Sequence, residues 1–259
     1  MGRDLDREKA TRDLASWNWR DDPDHVLLKA IAVCGRDGVD LLMEERSRRT
    51  DQDVRGWFVQ EIAHSENPEA IDALRTIARD TGRGMQDSRW MAIYGLATIL
   101  GPGATGDFEA ALSDPSRSNR WNAAMWLARV GTEQAWWPAL EQLKRVLMRP
   151  TKGGFTPPEV VSYVCYLGRF VEESCHKQKL VALLRKYWTK MKFADRLVLG
   201  RLWPGVEPDG PPAGELVSPD PGQLLIGVES TSYTWGPLKD LEGEALRLER
   251  LADPEYGFR

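Results

Sequence analysis

The sequence predicts an all-α chain: a right-handed α-solenoid of four to five helix pairs, followed by a Pro/Gly-rich, mostly irregular C-terminal arm. The first observation behind this is a repeated pattern that starts from an arginine. Arg55 is followed by Phe58 and Ile62, Arg89 by Ala92 and Leu96, and Arg120 by Ala123 and Leu127. In each copy, apolar residues stand three and seven positions after the arginine, which is the spacing of one helical face. The arginines lie 34 residues apart (55 to 89) and 31 apart (89 to 120). Self-similarity at roughly 20 to 50 residues marks stacked repeats. The second observation is that no period-two strand pattern appears before residue 220. The third is the punctuation: Asn67-Pro68, Gly82-Arg83-Gly84, Gly101-Pro102-Gly103 and Asp114-Pro115 separate the periodic stretches, as turns should.

The elements follow in order. Leu5 to Trp19 is charged and weakly amphipathic, and is expected to be a capping helix with a polar outer face. Asp21-Asp22-Pro23-Asp24 offers an N-cap, and a helix is expected over His25 to Val33. With Asp24 in the place of the repeated arginine, Leu27 and Ile31 take the apolar sites of a degenerate first copy. Each of the four register helices is followed by a second one: Gly38 to Arg49, Pro68 to Ala78, a short Gly106 to Leu112, and Thr132 to Met148. Regularity breaks at Pro150-Thr-Lys-Gly-Gly154. Pro157-Pro158 then starts a helix carrying Val160, Val161, Val164 and Leu167. Further helices are expected over Gln178 to Met191 and Phe193 to Leu202, the last stopped by Trp203-Pro204-Gly205.

The division expected is a helical repeat domain, 1–203, and a Pro-rich linker with an acidic arm, 204–259. Residues 204–222 hold six of the 16 prolines, and 204–259 carries 11 acidic against four basic residues. Within the arm, 223–228 reads as a short strand or extended docking segment and Leu238 to Leu251 as a short helix.

Composition narrows the classes. The chain has 259 residues, 42% apolar and 29% charged, with a net charge of −4. This is ordinary for a folded protein and excludes a polyanion binder by overall charge. No apolar stretch approaches the roughly 20 residues of a membrane span, and the charged first residues do not read as a secretory signal. Cys34, Cys165 and Cys175 are odd in number and lack CxxC spacing, which argues against a disulfide framework or zinc site and for a reducing, cytoplasmic setting.

The stretch from Leu112 through Asp114-Pro115, Arg120, Ala123-Ala124, Leu127 and Gly131 resembles the HEAT-repeat family in its bacterial form. Asp87-Ser-Arg89-Trp-Met-Ala92 and Asp53-Val54-Arg55 echo the same turn. The similarity covers residues 21–148 well and 157–203 loosely. It implies stacked helix pairs, and Ala92, Ala123 and Ala124 are small enough for close helix approach. The arginines sit in first helical turns, where a positive charge opposes the helix dipole. Aspartates of neighbouring turns, such as Asp53, Asp87 or Asp114, are expected to hold them; the alternative is that they line an anion-binding surface.

The function expected is a non-enzymatic scaffold that binds a protein or peptide on the concave face of such a solenoid. The binding candidates are Trp136 and Trp137 on one second helix and Lys179, Lys186 and Lys190 on a basic helix. Tryptophan, with 11 copies, is the unusual residue here and is enriched at interface hot spots. Residues 157–203 carry nine basic and four acidic residues, so nucleic acid is the alternative partner, through the basic segment 177–201. Some alkylpurine DNA glycosylases are built from HEAT-like repeats and give that alternative an enzymatic form, although no residue here matches their site. The histidines, His25, His64 and His176, are far apart, and no nucleophile, metal or phosphate-loop motif appears, so no catalytic residue, cofactor or metal is expected.

Overall fold

A computed structural model describes the backbone of residues 5–148, 159–172 and 174–214, and the side chains there except those of 174, 193, 194, 197 and 198. All regular structure among these residues is helical. The helices are α1 (Arg7–Ser16), α2 (Val26–Ala32), α3 (Gly35–Arg48), α4 (Gln52–His64), α5 (Ile71–Arg79), α6 (Gln86–Leu100), α7 (Thr105–Ala111), α8 (Arg117–Val130), α9 (Trp136–Met148), α10 (Glu159–Gly168), α11 (Ser174–Tyr187) and α12 (Phe193–Leu202). Each sequence-expected helix within the described residues is present, with shifted ends. Pro68–Ala70 and Glu133–Ala135 are short 3-10 turns leading into α5 and α9. α11 begins four residues before Gln178, because its polar first turn carries no apolar signal. The helix start at Pro157-Pro158, the segment 223–228 and the helix 238–251 lie outside the described residues.

Contacts divide the chain into two compact units, Met1–Ala123 and Ala124–Arg259, with the division inside α8. In the first unit, helices pack on the next and the next but one: α2 on α3 and α4, α3 on α4, α4 and α5 on α6. The apolar register drives this. Phe58, Ile62, Ala92, Leu96 and Ala123 are fully buried, and burying a large apolar side chain contributes about 1.5–3 kcal/mol. In the degenerate first copy Ile31 is buried but Leu27 is only partly covered. α4 and α6 approach closely where a Cβ on Gly95 would stand 2.9 Å from the Ala63 Cα.

Polar side chains close the helix ends. Asp51 Oδ1 accepts from the amides of Asp53 and Val54 at the start of α4. Asp22 caps α2, accepting from the Val26 and Leu27 amides at 2.8 and 3.1 Å. α6 ends at Gly101, whose φ of 52° suits a residue without a Cβ.

The register arginines are fastened in different ways. Arg89 makes a two-pronged pair with Asp114, Nε to Oδ2 at 2.6 Å and Nη2 to Oδ1 at 3.0 Å, while Nη1 donates to the Asp80 carbonyl. Both side chains are buried. Asn119 Nδ2 and the Ser116 amide also donate to the Asp114 carboxylate. Arg120 donates to the carbonyls of Asp114 and Pro115. Of the three expected aspartates, Asp114 does the fastening; Asp53 and Asp87 are exposed in the first turns of α4 and α6. Arg55 has neither arrangement.

In the second unit α9 packs on α10 and α11, and α10 on α12. Every residue of α10 is buried. Polar links here run to carbonyls. The Tyr166 hydroxyl donates to Thr132 O, and Arg169 Nη1 donates to Leu127 O and Ala128 O, carbonyls at the end of α8. A cation at a helix C-terminus satisfies carbonyls that the helix cannot. Beyond α12, residues 204–214 fold back. Arg185 Nη2 donates to Gly205 O and Pro211 O, and Trp203 Nε1 donates to Gly214 O. The sequence places a boundary at 203/204, yet Trp203 and Val206 are both fully buried.

Candidate functional site

The site begins with two consecutive tryptophans at the start of α9. Neighbouring residues on a helix point about 100° apart, so one indole turns inward and the other outward. Trp136 is 1% exposed, and its Nε1 donates to Leu167 O at 3.1 Å. Its indole stacks on the His176 ring at 3.8 Å and 15°. Trp137 is 48% exposed and stands edge-on to both Trp136 and His176. His176 Nδ1 donates to Phe170 O at 3.0 Å, and that same nitrogen lies 3.6 Å from Glu133 Oε1. The buried pair fixes the ring that is displayed.

Lys179, one turn along α11 from His176, places its Nζ 4.2 Å from the centre of the Trp137 ring. An ammonium over an indole face is attractive by about 0.5–1 kcal/mol at an exposed site. Lys186 lies seven residues further, two turns or roughly 10 Å along the same helix. Lys186 and Lys190 put their ammonium groups 5.5 and 5.4 Å from the Tyr187 ring centre. Both lysines are exposed, whereas Tyr187 is 8% exposed.

The five sequence candidates therefore fall into three situations. Trp137 and Lys179 form one surface feature, and Lys186 and Lys190 another, around Tyr187. Trp136 is a core residue and presents no ring face to a partner. The spacing of Trp136, Leu140, Leu143 and Leu147 places Trp136 on the apolar stripe of α9, and all four are buried. Arg185, part of the same basic run, is committed to the carbonyls of 204–214. His176 and Glu133 beside Trp137 were not singled out by the sequence. His176 is 39 residues from Trp137 and has no motif to mark it.

The arrangement suits recognition: a half-exposed indole supplies apolar area, and nearby ammonium groups supply positive charge. Among the described residues, no three His, Cys, Asp or Glu side chains are placed to hold a metal ion. Burial pushes the Cys165 thiol up to about 12, far from the reactive thiolate. A buried histidine–carboxylate pair lies elsewhere. His25 Nδ1 lies 2.9 Å from Glu61 Oε1, with Trp17 and Trp57 against the imidazole. His25 holds the left-handed conformation, φ 52°, at the start of α2. No hydroxyl or thiol is hydrogen-bonded to its ring among the contacts described, so the pair lacks the nucleophile that acyl-transfer chemistry requires.

No helix among the described residues is long and apolar enough to cross a membrane. Comparison of the chain with family models, with curated proteins and with solved structures finds no match.

Proposed function

We propose that this chain is a non-enzymatic, HEAT-like repeat protein that binds a protein or peptide segment. In this reading four to five helix pairs stack as a right-handed solenoid, and the partner contacts second helices of successive pairs. The buried apolar register and the packing of α1 on α3, α2 on α4, α4 on α6 and α5 on α7 support the repeat reading. The single observation that carries the binding reading is Trp137, half-exposed, edge-locked by Trp136 and covered by Lys179. A large rigid ring beside a cation selects an apolar or aromatic residue flanked by carboxylates.

The test is selection of a random peptide library on the full chain. Enriched peptides should combine an aromatic or large apolar residue with Asp or Glu. Trp137→Ala should weaken the best of them by roughly 2 kcal/mol, as for a hot spot, and Lys179→Glu should weaken it less. Peptides bound equally well by Trp137→Ala would remove the basis of the reading.

A nucleic-acid reading, including a base-excising enzyme of the HEAT-like alkylpurine type, is favoured only by the exposed Lys186 and Lys190 beside an aromatic ring. Salt-sensitive DNA binding abolished by Lys186→Glu with Lys190→Glu would replace the peptide reading with this one.

A further inference from the structure

Three positive features meet at Met85. Arg46 reaches it from the last turn of α3, with Nη2 3.3 Å from the Met85 Sδ. Arg55 reaches it from the first turn of α4, with Nη2 3.8 Å from the same sulfur. The third feature is the N-terminus of α6, a 15-residue helix that opens at Met85 without a side-chain cap. Its first amides carry the positive end of the helix dipole. A thioether is a weak acceptor, and two guanidinium groups sharing one are poorly served. The Nε atoms of Arg46 and of Arg55 are both buried and lack a hydrogen-bond partner. Arg46 is only 6% exposed, and Arg55 is half-buried, so the cluster is reached from the Arg55 side. Burial, then the adjacent charge of Arg55, lowers the Arg46 guanidinium from its ordinary range; Asp80 opposes both.

The repeat supplies its own comparison. Moving on 34 residues, Arg55 becomes Arg89, Asp80 becomes Asp114 and Met85 becomes Asn119. In the later copy the Asp114 carboxylate sits between Arg89 and Asn119 and takes three hydrogen bonds from them. In the earlier copy Asp80 is exposed and its Oδ1 accepts from the Gly82 amide instead. Met85 replaces the asparagine, and Arg46 adds a second cation. The anionic position of the repeat is thus kept in one copy by the protein's own carboxylate, and in the other copy it is surrounded by donors without one.

We infer that Arg46, Arg55 and the α6 N-terminus form a binding site for a tetrahedral oxyanion, a phosphate or a phosphoryl group. Two guanidinium forks from different helices, converging on the side chain of the residue that opens α6, offer more donors than the two oxygens of a carboxylate accept. The acidic groups nearby are Asp80, Asp51 at the α4 N-cap and Asp87 in the first turn of α6. Asp80 is the direct competitor. This site does not depend on the peptide-binding reading.

The experiment is calorimetric titration of the full chain with inorganic phosphate, with a phosphoserine peptide and with acetate, at fixed ionic strength. Saturable phosphate binding is expected, and acetate should be much weaker. Arg55→Gln, a half-exposed position that leaves the fold intact, should weaken phosphate by about tenfold or more. Asp80→Asn should tighten it. Arg36→Gln, at an exposed pair with Glu69, should leave it unchanged and serves as the control. Equal binding of both phosphates assigns the site to a free anion, and preference for the peptide assigns it to a phosphorylated partner. Absence of saturable phosphate binding, or an Arg55→Gln variant that folds and binds like the parent, would overturn the inference.

Discussion

The two compact units handle their cations differently. In the first, arginines are held by carboxylates of other helices or turns: Arg89 by Asp114, Arg75 by Asp107. In the second, Arg169 and Arg185 are held by backbone carbonyls, and Arg129 is buried against the Trp126 ring with no acceptor for Nε or Nη1. A carboxylate cancels charge. A carbonyl supplies geometry and leaves the charge in place. Arg129, Arg169 and Arg185 therefore keep their positive charge, on the same unit as the exposed lysines of α11. The first unit pairs Arg89 and Arg75 with carboxylates, holds Arg120 on the carbonyls of Asp114 and Pro115, and leaves the Arg46–Arg55 cluster on a thioether.

The largest way to break this contrast is Asp114→Asn. It leaves Arg89 buried and charged and should cost about 3–5 kcal/mol in urea unfolding, whereas Arg89→Met with Asp114→Leu should cost far less. Next comes Arg129→Met, which should instead stabilise, by about 1–3 kcal/mol, because an unneutralised buried cation is replaced by an apolar side chain of similar length. Burial pulls the Arg129 guanidinium down to about 10. The folded chain then releases that proton before the unfolded chain does, so the parent gains stability as pH rises above about 10 and up to the ordinary arginine value. The advantage of Arg129→Met should shrink over that window, as compared by paired denaturation curves.

Asp22→Asn should cost about 1 kcal/mol through a weaker cap. Burial raises the Asp22 carboxyl, but the Trp17 indole and two backbone amides outweigh it and set the value below the usual aspartate range. Its contribution is complete above the unfolded value of about 3.9 and is lost as pH falls through the lower, folded one. Asp22→Asn should therefore flatten the acid limb of stability against pH. The smallest effect is at Arg75, whose side chain is 38% exposed. Arg75→Met should change stability by less than about 1 kcal/mol, and by less again in high salt.

How much of this was legible in the sequence depended on periodicity. Helices were readable because Phe58, Ile62, Ala92 and Leu96 recur at helical spacing, and that spacing alone decides which face is buried. Close approach at Gly95 was not readable, since a glycine within a helix signals nothing about the Ala63 backbone opposite. Partner choice was readable only as a class: the arginines needed an anion, but the selection of Asp114 over Asp53 or Asp87 depends on where a turn falls in space. For the candidate site, the tryptophan pair and the basic helix were visible. The inward turn of Trp136 was legible from its stripe with Leu140, Leu143 and Leu147, but the pairing of Trp137 with Lys179 and the withdrawal of Arg185 from the surface depend on packing between α9, α11 and residues 204–214.

That last packing bears on how the chain can be dissected. The composition changes at Pro204, which invites a cut there. Such a cut would remove the carbonyls that receive Arg185 and the acceptor of the Trp203 indole, and would uncover apolar surface on Trp203. A fragment ending before Pro204 should aggregate; one carried through Gly214 keeps its own seal.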